Sequence, residues 1–201
     1  MGMCKLEMIN FLELSGNLVY LKKLGSEYLD EYYECFKDAS IESSVFTGTK
    51  GFYTKSNLEG FLNTIENDSN RVDFLIFSKN SNEIVGEVVI NDVSVKDRSA
   101  NIRIGINKKE DFNKGYGSEA MILALNYGFG MFNLHRIELS VFEFNERAIR
   151  VYKKLGFVKE GIKRDSLYFN HKYHNEIIMS ILEDEFKQLY INYDEDLKNL
   201  L

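Results

Sequence analysis

Gly115 and Gly117 flank Tyr116 in "DFNKGYGSEA", directly before a long apolar helical pattern. Without Cβ atoms at these two positions, the peptide N–H groups between Phe112 and Ser118 are open to close approach. A helix start adds roughly half a positive charge in partial-charge terms. The chemistry such a stretch suits is the holding of an anion. Further along, Asn145, Ala148 and Tyr152 follow one another at spacings of three and four, which puts them on one helix face. The small side chain at 148 leaves room there for a ligand beside the hydroxyl of Tyr152; taken alone, Tyr152 fits better as a core residue of an amphipathic helix.

Three anion-binding arrangements compete for the glycine stretch. A Walker-type loop needs Gly-Lys-Ser/Thr directly before its helix, which is absent. A dinucleotide fingerprint needs a glycine immediately after a strand and an acid about 20 residues later. Glu138 lies at about that distance, but "KKEDFNK" separates the preceding strand from Gly115, and the unit follows several hairpins. The third arrangement, a pyrophosphate arm resting on the amides of a strand-loop-helix junction, fits without conflict. Taken alone, the glycine pair also fits a helix-entry turn that binds nothing.

The elements that must position these residues are readable from periodicity. "LVYLKKL" (18–24) predicts a strand, and residues 26–38 a helix with Leu29, Tyr32, Tyr33 and Phe36 at helical spacing. Residues 40–53 are irregular, and a second helix opens at Ser56, with Glu59 completing a capping box. Strands at 72–78, 83–92 and 99–107 have connections short enough for hairpins. Residues 118–132 predict a buried helix and 136–142 a strand with Ile137, Leu139 and Val141 on one face. Asn145 caps a helix over 146–155 that Gly156 ends, a final hairpin turns at Asn170–His171, and 183–201 forms a peripheral tail.

The 201 residues suit a single domain, with its core about residues 18–182. Charged residues make up 28% and the net charge is −6, which argues against a nucleic-acid partner and weakly favours cationic ones. No apolar run is long enough to cross a membrane, and the acids in "MGMCKLEMINFLEL" argue against a signal peptide, so a cytoplasmic location is expected. Cys4 and Cys35 form no metal spacing, and His171 and His174 fall in a hairpin, so no metal is expected. Pro is absent, for which we find no physical reason. Nothing in the sequence fixes the oligomeric state; a homodimer is compatible with it.

From residue 99 onward the order of elements resembles the GNAT family of N-acetyltransferases. The family's acyl-CoA loop, Gln/Arg-x-x-Gly-x-Gly/Ala, falls on Phe112 to Gly117, with Phe112 departing from the Gln/Arg preference. Asn145, Ala148, Tyr152, Gly156 and Phe157 stand at the positions of its second signature. The branch most resembled holds the ribosomal-protein N-terminal and spermidine acetyltransferases. The resemblance implies an α/β (α+β) fold: a mixed, mostly antiparallel sheet of about seven strands, its central strands splayed, with helices on its faces. It also implies acetyl-CoA as co-substrate, held by Ile104, Gly105 and Ile106 on the splayed strand, by Phe112, Asn113, Lys114, Gly115, Tyr116, Gly117 and Ser118 in the loop, and by Asn145, Ala148 and Tyr152.

The implied reaction moves an acetyl group to a primary amine, with direct attack on the thioester and Tyr152 as proton donor to the departing thiolate. Many relatives carry Glu where this chain has Asn101, so the base does not transfer; Glu87 and Glu138 on neighbouring strands are the substitutes. Each also fits a plain solvated strand-face acid. The acceptor is expected to be a protein N-terminal α-amine or a small amine, with a spermidine-type polyamine as the alternative. Acids and aromatics within 26–67 could hold such a cation or form an ordinary helix face. A third reading, an acyl-CoA-binding sensor without turnover, draws its support from the missing acid at Asn101.

Overall fold

In the strand β2 (Val72–Ser78), Phe74 and Ile76 alternate with Leu75 and Phe77, and all four are buried. A strand apolar on both faces belongs inside a sheet covered on both sides. The protein, a computed structural model describing residues 14–36 and 54–191, meets that requirement with one seven-stranded sheet. Its other strands are β1 (Val19–Lys23), β3 (Ile84–Ser94), β4 (Ser99–Ile106), β5 (Arg136–Phe142), β6 (Val158–Phe169) and β7 (Lys172–Leu182). The order across the sheet is β1-β2-β3-β4-β5-β7-β6. Every neighbouring pair is antiparallel except β4 and β5.

Two cores result. On one face, Leu75, Phe77 and Ile84 pack against Tyr32 of α1 (Leu29–Phe36) and Leu58, Leu62 and Ile65 of α2 (Lys55–Glu66). The other face buries Phe74, Ile76, Val88, Ile90, Ile102 and Ile137 beneath α3 (Tyr116–Gly130), α4 (Glu146–Lys154) and α5 (Glu183–Tyr190). Among the described residues no helix is long and apolar enough to cross a membrane.

The mixed sheet with flanking helices is as expected, and the differences are local. The α2 cap is Thr54 rather than Ser56: its extended backbone lets the side chain accept from the Asn57 N–H at 3.2 Å, leaving Glu59 outside any capping box. α3 opens two residues early, at Tyr116, because Gly115 takes the left-handed cap conformation. β3 runs on to Ser94 through an irregularity at Asp92, whose φ is +53°. The expected tail is partly core, since Phe186 of α5 is buried against Phe129. Residues 40–53 and 192–201 lie outside the described residues. The final hairpin turns at Asn170 and His171, both left-handed, the backbone a tight two-residue turn requires.

Candidate active site

The parallel contact between β4 and β5 lasts for only three residue pairs: Ser99 with Arg136, Ala100 with Ile137, and Asn101 with Glu138. Beyond them β4 stays paired with β3 as far as Ile106, and β5 stays paired with β7 as far as Phe142. The sheet therefore forks in its middle. Along Ile104–Ile106, among the described residues, one edge of β4 has no strand beside it, and its backbone groups are available to an extended ligand. Ile104, Gly105 and Ile106, expected on the splayed strand, lie on that edge.

At the α3 side of the fork stands the glycine loop. Gly115 has φ +88°, where an L side chain is strained, and Asn113 is also left-handed at +62°. Gly117 differs: a Cβ there would sit 3.5 Å from Ile106 and 3.7 Å from Ile104, ordinary contact distances. The N-cap of α3 is Gly115, which has no side chain to cap with, and among the described residues no other side chain caps its first turn. Its acid, Glu119, faces away and accepts the backbone N–H groups of Asn17, Leu18 and Val19 at 2.8, 2.6 and 2.7 Å. The first turn is thus left with no side-chain acceptor of its own. Asn113 and Lys114 are exposed, whereas Phe112, Tyr116 and Ser118 are half-buried. Lys114 is tied to Asp111 at 2.9 Å, and Ser78 donates to the Tyr116 hydroxyl at 3.3 Å.

Across the opening, Asn145 caps α4 by accepting from the Ala148 N–H at 3.2 Å. Tyr152 lies one turn beyond Ala148, its ring 5.9 Å from that of Phe157. The left-handed Gly156, at +98°, ends the helix and lets the Phe157 N–H return to the Tyr152 carbonyl. Burial pushes the Tyr152 phenol up to about 12, with the Arg147 charge opposing the shift. At neutral pH this hydroxyl is protonated and can donate.

The two carboxylates proposed from the sequence are not brought together. Glu87 pairs across the strands with Gly105, and Glu138 pairs with Asn101. Glu87 is no solvated acid: only 8% exposed, it accepts from the Tyr32 hydroxyl at 2.7 Å and lies 3.9 Å from Arg103. Burial and the neighbouring Glu87 raise the Tyr32 phenol well above its ordinary value. Glu138 is more open and is paired with Arg136 at 2.9 Å. Asn101 donates to Asp92 at 3.3 Å.

Several contacts are invisible in the sequence order. Buried Asp73 is gripped by Arg71 and approached by Arg103, and Arg147 lies over the Phe112 ring. His174, expected to bind no metal, is buried, with its Nε2 3.1 Å from the Phe169 carbonyl oxygen.

This geometry, a forked sheet beside an uncapped helix start, coincides with a family match. The profile described as an acetyltransferase (GNAT) domain covers residues 19–158. The chain belongs to the GNAT acetyltransferase family. Spermidine N(1)-acetyltransferase of Escherichia coli K12 is 35% identical over 104 residues, 52% of this chain and 55% of the relative. The chain therefore spans about half the length of that relative. Spermidine N(1)-acetyltransferase of Vibrio cholerae is 30% identical over 129 residues, 64% of this chain and 73% of the relative. A solved structure of the Vibrio cholerae spermidine N-acetyltransferase with CoA and spermine superposes with a TM-score of 0.76 at 24% identity, over 84% of this chain and 98% of that one. At that identity it speaks for the fold.

Proposed function

We propose that this GNAT protein transfers an acetyl group from acetyl-CoA to a primary amine, and that the acceptor is a small polycationic amine of the spermidine type. The observation that carries the reading is the fork between β4 and β5 opening beside an α3 start that, among the described residues, no side chain caps. An extended, amide-bearing arm with an anionic diphosphate fits both features. Acetyl-CoA supplies an activated acyl group on sulfur. The amides of residues 112–118 hold its diphosphate, the free edge of Ile104–Ile106 aligns its amides, and Ala148 leaves room beside Tyr152.

Glu138 stands where the strands part and takes the proton released by the amine, directly or through water. As the amine nitrogen bonds to the acyl carbon and the carbon–sulfur bond breaks, Tyr152 gives its proton to the thiolate. Glu138 is held by Arg136, as Glu87 is by Tyr32, but Glu138 is the more open of the two, whereas Glu87 is buried. Strand alternation turns Asn101 away from the α3 core, and Asp92 and Glu138 meet it there. Among the described residues no cation pairs with Asp92, so its charge favours a cationic acceptor there, while Glu138 is shared with Arg136. The relatives named for spermidine point in the same direction.

Acetyl-CoA consumption over a panel of spermidine, simpler amines and peptides with free N-termini tests the reading, with Tyr152→Phe as control. The expected result is turnover highest on the polyamine. Turnover confined to peptides would instead support the α-amine reading. CoA binding without turnover on any amine would support a sensor, the reading that Asn101 favours.

A further inference from the structure

We propose that Arg147 supplies the cation that grips the coenzyme's diphosphate, and that the Phe112 ring is the platform that holds it ready. The inference rests on the acetyl-CoA reading and adds a residue to it. Arg147 is the second residue of α4, and its guanidinium carbon lies 3.8 Å from the centroid of the Phe112 ring. Phe112 directly precedes the left-handed Asn113 that begins the glycine loop. One contact therefore ties the start of α4 to the loop before α3, the two segments between which the coenzyme is placed.

The surrounding charges leave this cation unspent. Lys114, the basic residue inside the loop, is neutralised by Asp111 at 2.9 Å. The acid beside Arg147 on α4, Glu146, is paired with Arg150 at 3.3 Å. Among the described residues no carboxylate pairs with Arg147. Stacking engages the flat face of a guanidinium and leaves its N–H donors free around the rim, where they can reach an anion two at a time. A ring beneath the side chain also narrows its rotamers before any ligand arrives, which lowers the ordering cost of binding. An aromatic at 112, in place of the preferred Gln or Arg, thus removes a polar group from the loop and fixes a stronger one beside it.

Calorimetric titration of the full-length chain with CoA and with dephospho-CoA, which keeps the diphosphate but lacks the 3′-phosphate, tests this. Arg147→Gln should weaken both ligands equally, by about 10- to 100-fold, the range for losing a charge-assisted contact. Phe112→Leu should give a smaller loss on both, because the charge remains but its platform is gone. Binding should also become less sensitive to salt in Arg147→Gln, which a residue that merely glues α4 to the loop would not produce. Weakening of CoA alone would move Arg147 to the 3′-phosphate and overturn the assignment. Unchanged affinities for both ligands, with wild type still binding, would overturn the proposal and leave the acetyl-CoA reading intact. A wild-type chain that binds neither ligand would end both.

Discussion

Asn101 and Glu138 face each other at the last point where the two central strands touch. One residue further along, the parallel ladder stops. Glu138 is therefore the carboxylate at the crotch of the fork, whereas Glu87 sits opposite Gly105 under the Tyr32 hydroxyl. Glu138→Gln should lower kcat by on the order of 10², the lower end for general acid–base catalysis. Glu87→Gln should leave the pH profile of turnover unchanged and lower the denaturation midpoint. The reverse pattern in steady-state kinetics and melts would exchange the two roles.

Tyr152 is expected to act as a donor across the whole working range. Burial disfavours the phenolate and raises the phenol to about 12, so the donor form persists as pH rises and is lost only near that value. Turnover should show no alkaline limb from this group below about pH 11. Tyr152→Phe should lower kcat by on the order of 10² with CoA affinity nearly unchanged, because the proposed transfer uses its proton only as thiolate forms. Comparable losses in kcat and in CoA affinity would point to a packing role.

The two glycines of the loop should respond differently. Gly115→Ala forces a side chain into the left-handed region and brings its Cβ to 2.9 Å from Leu18, so a stability loss of about 1–2 kcal/mol is expected. Gly117→Ala meets only ordinary contacts and should fold normally. Gly117→Val, bulkier and β-branched, should weaken CoA binding by about 1–3 kcal/mol by blocking the amides. Titration of the folded variants measures this, and an unchanged affinity in Gly117→Val would displace the diphosphate from this loop.

Glu119 should matter for stability beyond its place on α3. Its carboxylate serves three consecutive backbone donors, and Glu119→Ala leaves Asn17, Leu18 and Val19 without that acceptor. A loss of about 3 kcal/mol is expected in urea unfolding. A loss below about 1 kcal/mol would mean that solvent replaces the carboxylate freely.

Acid should weaken the bond between β6 and β5. Arg136 donates to both Glu138 and Glu160, and together with the Ser180 hydroxyl it holds the Glu160 carboxyl below its ordinary range. A depressed folded-state value means that the stabilisation is present above the unfolded value near 4.5 and fades as pH falls through the lowered one. Glu160→Gln should thus cost less than about 1 kcal/mol at pH 7, with the difference from wild type vanishing near pH 3. Parallel thermal melts at the two pH values check this, and a gap that persists in acid would rule out the ion pair as its source.

Local chemistry was legible from the residues. The left-handed cap at Gly156, the Asn145 cap and the turn at Asn170–His171 each follow from what one residue type does to its own backbone. Strand faces followed as well, because alternation along Ile137, Leu139 and Val141 has only one buried side. Where two neighbours could serve the same local role, as at Thr54 and Ser56, the order alone did not decide between them. The burial of Phe186 depends on a pocket beside Phe129, which no periodicity announces.

The sequence by itself determined the elements, their faces and the two motifs, because these depend on backbone preferences and on residues a few positions apart. Only the tertiary structure decided where β4 and β5 part, that Glu87 is buried under Tyr32 while Glu138 stands at the fork, and that Arg147 lies over Phe112. Those facts join residues tens of positions apart in the chain. They depend on how the sheet twists and on which charges find partners, properties that no short window of residues contains.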